Sequence, residues 1–406
     1  MRKFIETTKS LLSLIWDKLV LHTPIHLVYR LRQPGVAFLV HPRDVSDIYR
    51  PYPLFSVLPT KVTRFLGCKF GAITLSKITT QKDITGASVR SYLLSIVMDP
   101  ESMRSKKAIL QKNTAQLSLL AERKNLKLIA LGALLPSVTS YGTTLVGLQD
   151  QRKYAPAVTT GHVATAWCVQ AIFTKIALAR HPSKSGFCVG VLGAAGSTGS
   201  LTTKMLGRLQ TDHGWEFSLV LVDKSKARLK RLSNQLKVPF VGTEQISALK
   251  HCDYVIVVTN SSNFVLNPDF VKENSVVIDD TQPRATTPEL LHKAFVVDVL
   301  ARVPGLNANF DFGIMDPDPS VTFSCMAEMM VLGTVGHTGN FAIGPGAKAS
   351  LDGPDKIIDR FFSYLEIAKQ KGLVIEPVTN VSFAKTMSLS SHQLMLTPQA
   401  GRSIAA

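Results

Sequence analysis

A continuous apolar run followed at once by a glycine-rich loop constrains the fold of this chain more than any other feature. Phe187–Leu192 reads FCVGVL, and Gly193–Gly199 reads GAAGSTG before a helical pattern that extends to about Gln210. A second apolar run, Leu219–Val222, ends at Asp223. A buried strand, a glycine loop, a helix and a second strand ending in an acidic residue form the pattern of a dinucleotide site. The sequence therefore predicts a parallel, doubly wound sheet around this loop.

The glycine spacing of the loop is GxxGxxG, a variant of the better-known GxGxxG. Glycines let the backbone turn tightly and approach a pyrophosphate, and a helix N-terminus presents N–H groups and a partial positive charge. The predicted cofactor-binding residues are Gly193, Ala195, Gly196, Ser197, Thr198, Gly199, Asp223, Lys224, Arg228 and Thr259. Asp223 favours the ribose 2′-hydroxyl of NAD(H), whereas Lys224, Ser225, Lys226 and Arg228 offer cations and a hydroxyl to a 2′-phosphate. These residues leave the form of the nicotinamide cofactor open.

Strands and helices alternate along most of the chain, and the predicted fold class is α/β. We expect a Rossmann-like doubly wound parallel sheet plus an N-terminal α/β substrate domain. The predicted segments are a basic amphipathic segment (1–35), the N-terminal substrate domain (36–160), the NAD(P)-binding domain (161–310), a C-terminal helical region packing on the substrate domain (311–387) and a disordered tail (388–406). Predicted helices include Pro100–Lys124, which Asp99 caps, Val163–Arg180 and Lys224–Leu236, and Val238–Val241 is a predicted strand.

Charge and cysteine content narrow the classes of partner. The net charge is +17, and residues 1–150 hold 21 Lys/Arg against 9 Asp/Glu. Such a basic field attracts nucleic acid, an anionic membrane or an acidic carrier protein. No zinc-finger, RNP or helix-turn-helix signature accompanies it, so nucleic acid is not predicted. The five cysteines have no CxxC spacing, which indicates reduced thiols rather than a disulfide framework or a metal site.

The segment from Met1 to about His22 predicts an amphipathic helix, which Pro24 would end. Such a basic segment lies on a membrane surface in some proteins and packs on its own domain in others. No run of 18 apolar residues and no signal-peptide pattern is found. We therefore expect a cytoplasmic protein, with membrane contact through residues 1–30 as an alternative.

Cys325 lies in a short apolar segment, SCMAEMM, that predicts a helix. Asp318 and Pro319 indicate a helix start, which would put Cys325 in the second turn, where the helix dipole acts weakly. Considered alone, the segment predicts a buried cysteine in an apolar helix. Glu328 would share a helix face with Cys325 and disfavour a thiolate, so it receives no catalytic role.

Several short motifs occur together and in order: Ala130-Leu131-Gly132, Val158-Thr159-Thr160-Gly161 with Thr165-Ala166, the GAAGSTG loop, and Met315-Asp316 shortly before Cys325-Met326-Ala327-Glu328-Met329. In this combination the chain resembles the long-chain acyl-(acyl-carrier-protein) reductases of cyanobacterial alkane biosynthesis. The resemblance extends over about Val36 to Leu332, with specific motifs and loosely similar sequence between them.

The resemblance implies reduction of a long-chain acyl thioester, carried by acyl-carrier protein or coenzyme A, to a fatty aldehyde. Cys325 would take the acyl group as a thioester, and NADPH would be the cofactor, with NADH as the alternative. His162 is the predicted proton donor or thiol activator, and a hydrogen-bonded loop histidine without a catalytic role is the alternative. Thr160, with Thr159 and residues 137–140, is a predicted oxyanion donor. An acidic carrier protein would also suit the basic first third of the chain.

Two other functions remain open from the sequence. One is a dehydrogenase of the shikimate or glutamyl-tRNA reductase type, which shares the nucleotide fold but acts on another substrate. The other is a non-catalytic nucleotide-binding protein associated with a membrane. Loss of acyl-thioester reduction on Cys325→Ser would separate the first prediction from both.

Overall fold

The structure, a computed structural model, describes residues 2–79, 89–149, 152, 154–259, 264–282, 284–307, 318–348, 350, 353–379 and 381–382. The chain divides into two compact units: unit 1 is Met1–Thr165 with Leu300–Glu376, and unit 2 is Ala166–Val299 with Pro377–Ala406. Unit 1 includes the described residues of the predicted segment 1–35 and those of the predicted C-terminal region as far as Glu376. The predicted tail, 388–406, lies outside the described residues.

The regular elements of the described residues are numbered here in chain order. The strands are β1 (Gly35–Val40), β2 (Ala72–Ile78), β3 (Arg90–Ile96), β4 (Leu126–Leu131), β5 (Ala157–Thr159), β6 (Ser185–Leu192), β7 (Glu216–Val222), β8 (Val241–Thr243), β9 (Tyr254–Val257), β10 (Val276–Asp279), β11 (Phe295–Asp298), β12 (Leu300–Arg302), β13 (Val321–Phe323), β14 (Glu376–Val378) and β15 (Val381–Ser382). The α-helices are α1 (Arg2–His22), α2 (Leu27–Arg30), α3 (Val45–Tyr49), α4 (Thr60–Phe70), α5 (Pro100–Ser105), α6 (Lys107–Arg123), α7 (Leu135–Val138), α8 (Thr143–Gly147), α9 (His162–Arg180), α10 (Ser197–His213), α11 (Lys226–Ser233), α12 (Ser324–Val335) and α13 (Gly353–Gln370). Short 3₁₀ helices are Pro24–His26, Pro53–Val57, Ile246–His251, Pro268–Phe270, Leu290–His292 and Pro345–Ala347.

Unit 1 is built on a five-stranded sheet in the order β2-β3-β1-β4-β5. The pairs β1–β3, β1–β4 and β4–β5 are parallel, and β2 is an antiparallel edge strand. The central strands are buried almost throughout because helices cover them, with α12 against β1 and β4. The ends of β4 and β5 lead into the Gly132 loop and the Thr159–Gly161 motif, so parallel strands bring these two motifs to the same edge.

Unit 2 is built on a seven-stranded sheet in the order β15-β11-β10-β9-β6-β7-β8. The pairs β8–β7, β7–β6, β6–β9, β9–β10 and β10–β11 are parallel, and the short β15 pairs with β11 in the antiparallel direction. Numbered from β6, the six parallel strands follow the order 3-2-1-4-5-6 of a Rossmann fold, in which the winding direction reverses between the first and fourth strands. The predicted α/β class and the doubly wound parallel sheet are confirmed.

Several predicted boundaries differ from the structure. The predicted helix Pro100–Lys124 is two helices, α5 and α6, because Lys106 adopts a non-helical backbone. Asp99 does cap α5, accepting from the Ser102 N–H at 2.9 Å. The helix predicted over Lys224–Leu236 is shortened to α11, since the Ser225 hydroxyl caps its first turn. The strand predicted at Val238–Val241 begins instead at Val241, where pairing with β7 starts.

The predicted start of α12 is wrong. Asp318 does not cap a helix: its carboxylate accepts from the Ser320 N–H at 2.8 Å and from Arg302 Nε at 2.7 Å. Residues Val321–Phe323 then pair with β12 as β13, because a β-branched and aromatic run fits a strand. The helix begins at Ser324, so Cys325 is in its first turn.

One helix among the described residues, α9, has the length and apolar composition of a membrane span. Of its apolar 18-residue stretch, 61% is buried inside the protein. Core helices of globular proteins meet the same criterion. A second candidate is the pair formed by α1 and the helical segment Pro24–Arg30, which are bent by 94° relative to each other.

Candidate functional site

The three glycines of the loop in unit 2 lie so close to other backbone atoms that a side chain at these positions would be too close to them. Gly193 has a φ of +84°, and a Cβ there would lie 2.9 Å from the Val258 carbonyl oxygen and 3.2 Å from Thr259 Cα. A Cβ on Gly199 would lie 2.0 Å from the Gly193 carbonyl oxygen, and one on Gly196 would lie 3.0 Å from it. The three glycines therefore serve the tight turn and the close approach of α10 to β6 that dinucleotide binding requires.

The loop is anchored on β7 and opens directly into α10. The Gly193 and Ala194 N–H groups both donate to the Val222 carbonyl oxygen, at 2.8 and 3.1 Å. Helix α10 begins at Ser197, with Thr198 next, and its N-cap Gly196 provides no side-chain cap. At a helix start without a capping side chain, an anionic ligand such as a phosphate can accept hydrogen bonds from the first backbone N–H groups. The contact of these residues with a cofactor stays a prediction.

Asp223 and Arg228, assigned to opposite cofactor forms from the sequence, are bonded to each other. The Asp223 carboxylate accepts from Arg228 Nη2 at 2.8 Å, from the Ser225 N–H at 3.0 Å and from the Ala195 N–H at 3.1 Å. Asp223 is buried, whereas Arg228 is partly exposed and Lys224 is exposed. A carboxylate with these three donors, one of them a cation, repels a nearby phosphate less than a free one does.

In unit 1 Cys325 lies at the start of α12, where its backbone and Cβ pack against Gly161 of the Thr159–Gly161 motif. Cys325 is half-buried, and a Cβ on Gly161 would be 2.5 Å from Cys325 Cβ and 2.9 Å from its carbonyl oxygen. Gly161 also has a φ of +74°. The Ser324 hydroxyl donates to Thr165 Oγ1 at 3.1 Å, which joins the first turns of α12 and α9. The glycine of the motif is therefore needed for both its backbone conformation and its contact with the cysteine.

Glu328, set aside in the sequence analysis, holds the start of α9. Its fully buried carboxylate accepts from the N–H groups of Gly161, Val163 and Ala164 at 3.1, 3.0 and 2.9 Å, and from the Thr159 hydroxyl. Burial raises the pKa of Glu328, and the hydrogen bonds from Thr159 and the three amides oppose that rise. An acidic group at a helix N-terminus satisfies amides that would otherwise be buried without partners.

The two threonines of the motif are engaged inside the fold. The Thr159 hydroxyl donates to Glu328, and the Thr160 hydroxyl donates to the Ala342 carbonyl oxygen at 2.7 Å. Both side chains are buried. Their hydroxyl protons are thus used for positioning, and the predicted oxyanion role of Thr160 would require its bond to Ala342 to break. That role stays a prediction.

His162 and a second histidine, His41, are both buried and neutral near pH 7. Burial lowers the pKa of each from 6.5 to about 4. His162 stacks edge-on against Tyr141, with ring centroids 5.7 Å apart. His41 Nδ1 lies 2.6 Å from the Pro42 carbonyl oxygen, and its Nε2 accepts from the Leu134 N–H at 2.9 Å. A histidine with a lowered pKa is a weak base, which limits His162 as an activator of the thiol.

Because of these two histidines, we expect the folded protein to lose stability in mild acid. Because each pKa falls from 6.5 to about 4 on folding, the unfolded chain binds protons more readily, and full stability holds only above pH 6.5. As the pH decreases towards 4 we expect each to cost up to about 3 kcal/mol of unfolding free energy. Urea unfolding across this range measures the effect. The double variant His41→Gln/His162→Gln should show a shallower pH dependence, and an unchanged slope would contradict this origin.

Two cysteines far apart in the sequence are neighbours in unit 2. Cys188 Sγ and Cys252 Sγ are 3.3 Å apart, and neither forms a disulfide. Because 64 residues separate them in the chain, no local sequence pattern indicates this contact. Within the described residues no group of three His, Cys, Asp or Glu side chains has the geometry of a metal site. The Met315-Asp316 motif lies outside the described residues.

Comparisons with known proteins bear on the fold alone. No protein-family model and no curated protein sequence matches the chain. Similar solved structures include the NAD⁺ complex of iminosuccinate reductase from Paracoccus denitrificans, at 18% identity over 35% of this chain and 44% of that one, with a TM-score of 0.25. L-tryptophan dehydrogenase from Nostoc punctiforme is 15% identical over 60% of this chain and 62% of that one, with a TM-score of 0.29. A dipicolinate synthase chain from Bacillus halodurans is 14% identical over 44% of this chain and 61% of that one, with a TM-score of 0.28.

The chain thus spans between 44% and 62% of the length of these three structures. The class that the described residues define is an α/β protein with one Rossmann-type unit and one mixed-sheet α/β unit. Its activity and substrate are not assigned by these similarities.

Proposed function

We propose that this chain is a nicotinamide-dependent oxidoreductase that reduces a long-chain acyl thioester to an aldehyde through an acyl group on Cys325. The observation that carries the proposal is the packing of Gly161 on Cys325, a half-buried residue in the first turn of α12, while Glu328 of the same helix binds the Thr159–Gly161 motif. The Rossmann strand order and the three tightly packed glycines of unit 2 support the dependence on a dinucleotide.

In the proposed reaction the Cys325 thiolate attacks the carbonyl carbon of the substrate thioester. The bond to the carrier sulfur breaks, the carrier leaves as a thiol, and the acyl group remains on Cys325. A reduced nicotinamide, when bound, would supply the hydride that the acyl carbon takes up, and a proton from solvent would complete the hemithioacetal at the carbonyl oxygen. The resulting hemithioacetal then loses the Cys325 thiol and releases the aldehyde.

The residues around Cys325 have positioning roles in this scheme. The first turn of α12 favours negative charge on the thiol at its N-terminal end. Glu328 fixes the start of α9, and Gly161 lets the motif approach the cysteine without a clash. The GAAGSTG loop and α10 would hold the pyrophosphate of the cofactor, and Thr259 lies beside the loop.

Intact-mass measurement tests the proposal directly. The chain is incubated with a long-chain acyl thioester of acyl-carrier protein, and separately of coenzyme A, without reductant. We expect a mass increase equal to the acyl group and, after digestion, a modified peptide containing Cys325. Addition of NADPH or NADH should then discharge the adduct with formation of aldehyde. An unmodified protein under both conditions would contradict the acyl-enzyme mechanism.

Arg228 should contribute to the choice of cofactor. Because its guanidinium neutralises Asp223 at the end of β7, we expect Arg228→Ala to weaken NADPH binding about tenfold and NADH binding less. Fluorescence titration with both cofactors measures the ratio. Arg231→Ala, on the exposed side of α11, is the matched control and should leave the ratio unchanged. An equal loss for both cofactors would show that Arg228 supports the fold of this corner instead.

A dehydrogenase that forms no covalent intermediate is the second candidate. The engaged Thr160 hydroxyl and the close packing of Gly161 on Cys325 suit a cysteine with a purely structural role. Such an enzyme would keep its hydride-transfer activity in Cys325→Ser. A non-catalytic nucleotide-binding protein would bind NAD(P)H and show no turnover of any thioester.

A further inference from the structure

Exposed apolar side chains are concentrated in one short part of unit 1. Of the twenty large hydrophobic side chains that are exposed among the described residues, thirteen lie between residues 4 and 65. Nine of these form what we term the α1 patch: Phe4, Ile5, Leu12, Ile15, Trp16, Leu19, Leu27, Val28 and Leu31. A concentration of this kind marks an interaction surface, because isolated exposed apolar residues are otherwise scattered over a protein.

Helix α1 buries Val20 and Leu21 together with polar anchors on its inner side, and it carries a second set of apolar side chains on its outer side. Inside, the buried Asp17 carboxylate pairs with Lys124 Nζ at 2.7 Å, and the Ser13 hydroxyl donates to the Thr74 carbonyl oxygen at 3.1 Å. Outside, Leu12 is 60% exposed and Ile15 56% exposed. Helices that only cover their own domain carry polar and charged side chains on the outer side. The outward stripe therefore requires an apolar environment that unit 1 does not provide.

The α1 patch continues beyond the helix onto the segment that follows. Trp16 Nε1 donates to the Tyr29 hydroxyl at 2.9 Å, which holds α2 beside α1. On α2 and the residue after it, Leu27 and Leu31 point outward, with Leu31 89% exposed. The patch thus consists of two helical segments bent by 94°, and both contribute apolar side chains.

The charge around the patch determines what can cover it. Residues 1–70 contain eleven Lys/Arg and four Asp/Glu, and the exposed cations of this segment include Lys3, Lys9, Arg30 and Arg32. A second copy of the chain would bring like charges together, which opposes self-association. An anionic lipid surface offers both the opposite charge and an apolar layer beneath it.

We propose that the α1 patch docks this protein on the surface of an anionic lipid bilayer. Helix α1 lies in the plane of the interface, with Leu12, Ile15 and Leu19 among the acyl chains and Trp16 at the headgroup level. The cations at positions 3, 9, 30 and 32 contact the lipid phosphates. The contact is peripheral, because the Asp17–Lys124 pair ties the inner face of α1 to unit 1. The proposal does not depend on the chemistry of Cys325.

Vesicle sedimentation of the full chain tests this proposal. We expect strong binding to vesicles of phosphatidylcholine with phosphatidylglycerol, weaker binding to phosphatidylcholine alone, and a decrease with added salt. The double variant Leu12→Glu/Ile15→Glu should lower the partition coefficient more than about tenfold. Leu148→Glu replaces an exposed leucine outside the patch, 46% exposed, and should bind as the unchanged protein does.

Tryptophan quenching identifies the face that enters the bilayer. Brominated phosphatidylcholine should quench the fluorescence of the bound protein, and most of this quenching should disappear in Trp16→Phe. Absence of vesicle binding, or equal binding by Leu12→Glu/Ile15→Glu, would overturn the proposal. A patch-dependent dimer in light scattering, or patch-dependent binding of an acidic carrier protein without vesicle binding, would overturn it too and identify the true occupant.

Discussion

Replacement of Cys325 by serine is expected to abolish acyl transfer to the protein and to lower thioester reduction by about a thousandfold or more. Serine keeps the size of the side chain at the start of α12 but is a far weaker nucleophile without an adjacent base, and His162 is a weak one. Steady-state rates of aldehyde formation and intact mass after exposure to acyl thioester measure the two effects. Dinucleotide binding should be unchanged, because the glycine loop belongs to unit 2.

Cys188→Ser is the matched control, since Cys188 is also half-buried and forms no disulfide. It should retain both the acyl adduct and the rate. Retention of the full rate in Cys325→Ser would exclude the acyl-cysteine and leave the dehydrogenase without a covalent intermediate as the better function. Loss of folding in Cys325→Ser, detected by circular dichroism, would be separated from loss of chemistry by the same variant's dinucleotide affinity.

Replacement of Gly199 by alanine is expected to eliminate measurable NAD(P)H binding, a decrease of about a hundredfold or more in affinity. The added Cβ would lie 2.0 Å from the Gly193 carbonyl oxygen, so α10 and the loop must separate. Overpacking against backbone costs about 1–3 kcal/mol, more than the roughly 1 kcal/mol by which alanine favours a helix. Calorimetric titration with both cofactors and a thermal melt measure the two consequences.

Gly207→Ala on the same helix is the control for the change of residue type. There the new Cβ would meet the two methyl groups of Val238, at 3.3 and 4.0 Å, which are the end of a side chain and can move. This variant should bind the cofactor normally and be at least as stable. If Gly199→Ala bound NAD(P)H as tightly as Gly207→Ala, the loop would not be a dinucleotide site.

Much of unit 2 was predictable from local patterns. A parallel strand buried on both faces appears as a continuous apolar run, and the loop after it needs glycines wherever backbone atoms meet. Both signals are confined to a few consecutive residues around Phe187–Gly199. The helix cap at Asp99 was also predicted correctly, because its acceptor and its donor are only three residues apart in the sequence.

The candidate site of unit 1 was less predictable because its contacts are distant in sequence. Glu328 caps a helix whose amides lie more than 160 residues before it. The start of α12 was misplaced because the pairing of β13 with β12 competes with the local helix signal at Asp318 and Pro319. In each case a partner elsewhere in the chain outweighed the preference of the local residues.

Cys325 became a candidate nucleophile only through the resemblance of the surrounding motifs to a known family, since its own segment predicts a buried cysteine. The sequence alone determined the apolar strand and glycine loop of unit 2, the acidic end of its second strand and the amphipathic character of α1. These follow from periodicity and residue type within short windows. Only the tertiary structure decided that Asp223 is paired with Arg228, that Cys325 is in the first turn of its helix, and that α1 leaves a stripe of apolar side chains exposed. The reason is that burial, ion pairing and packing depend on contacts between segments that are distant in sequence, and no local pattern specifies those contacts.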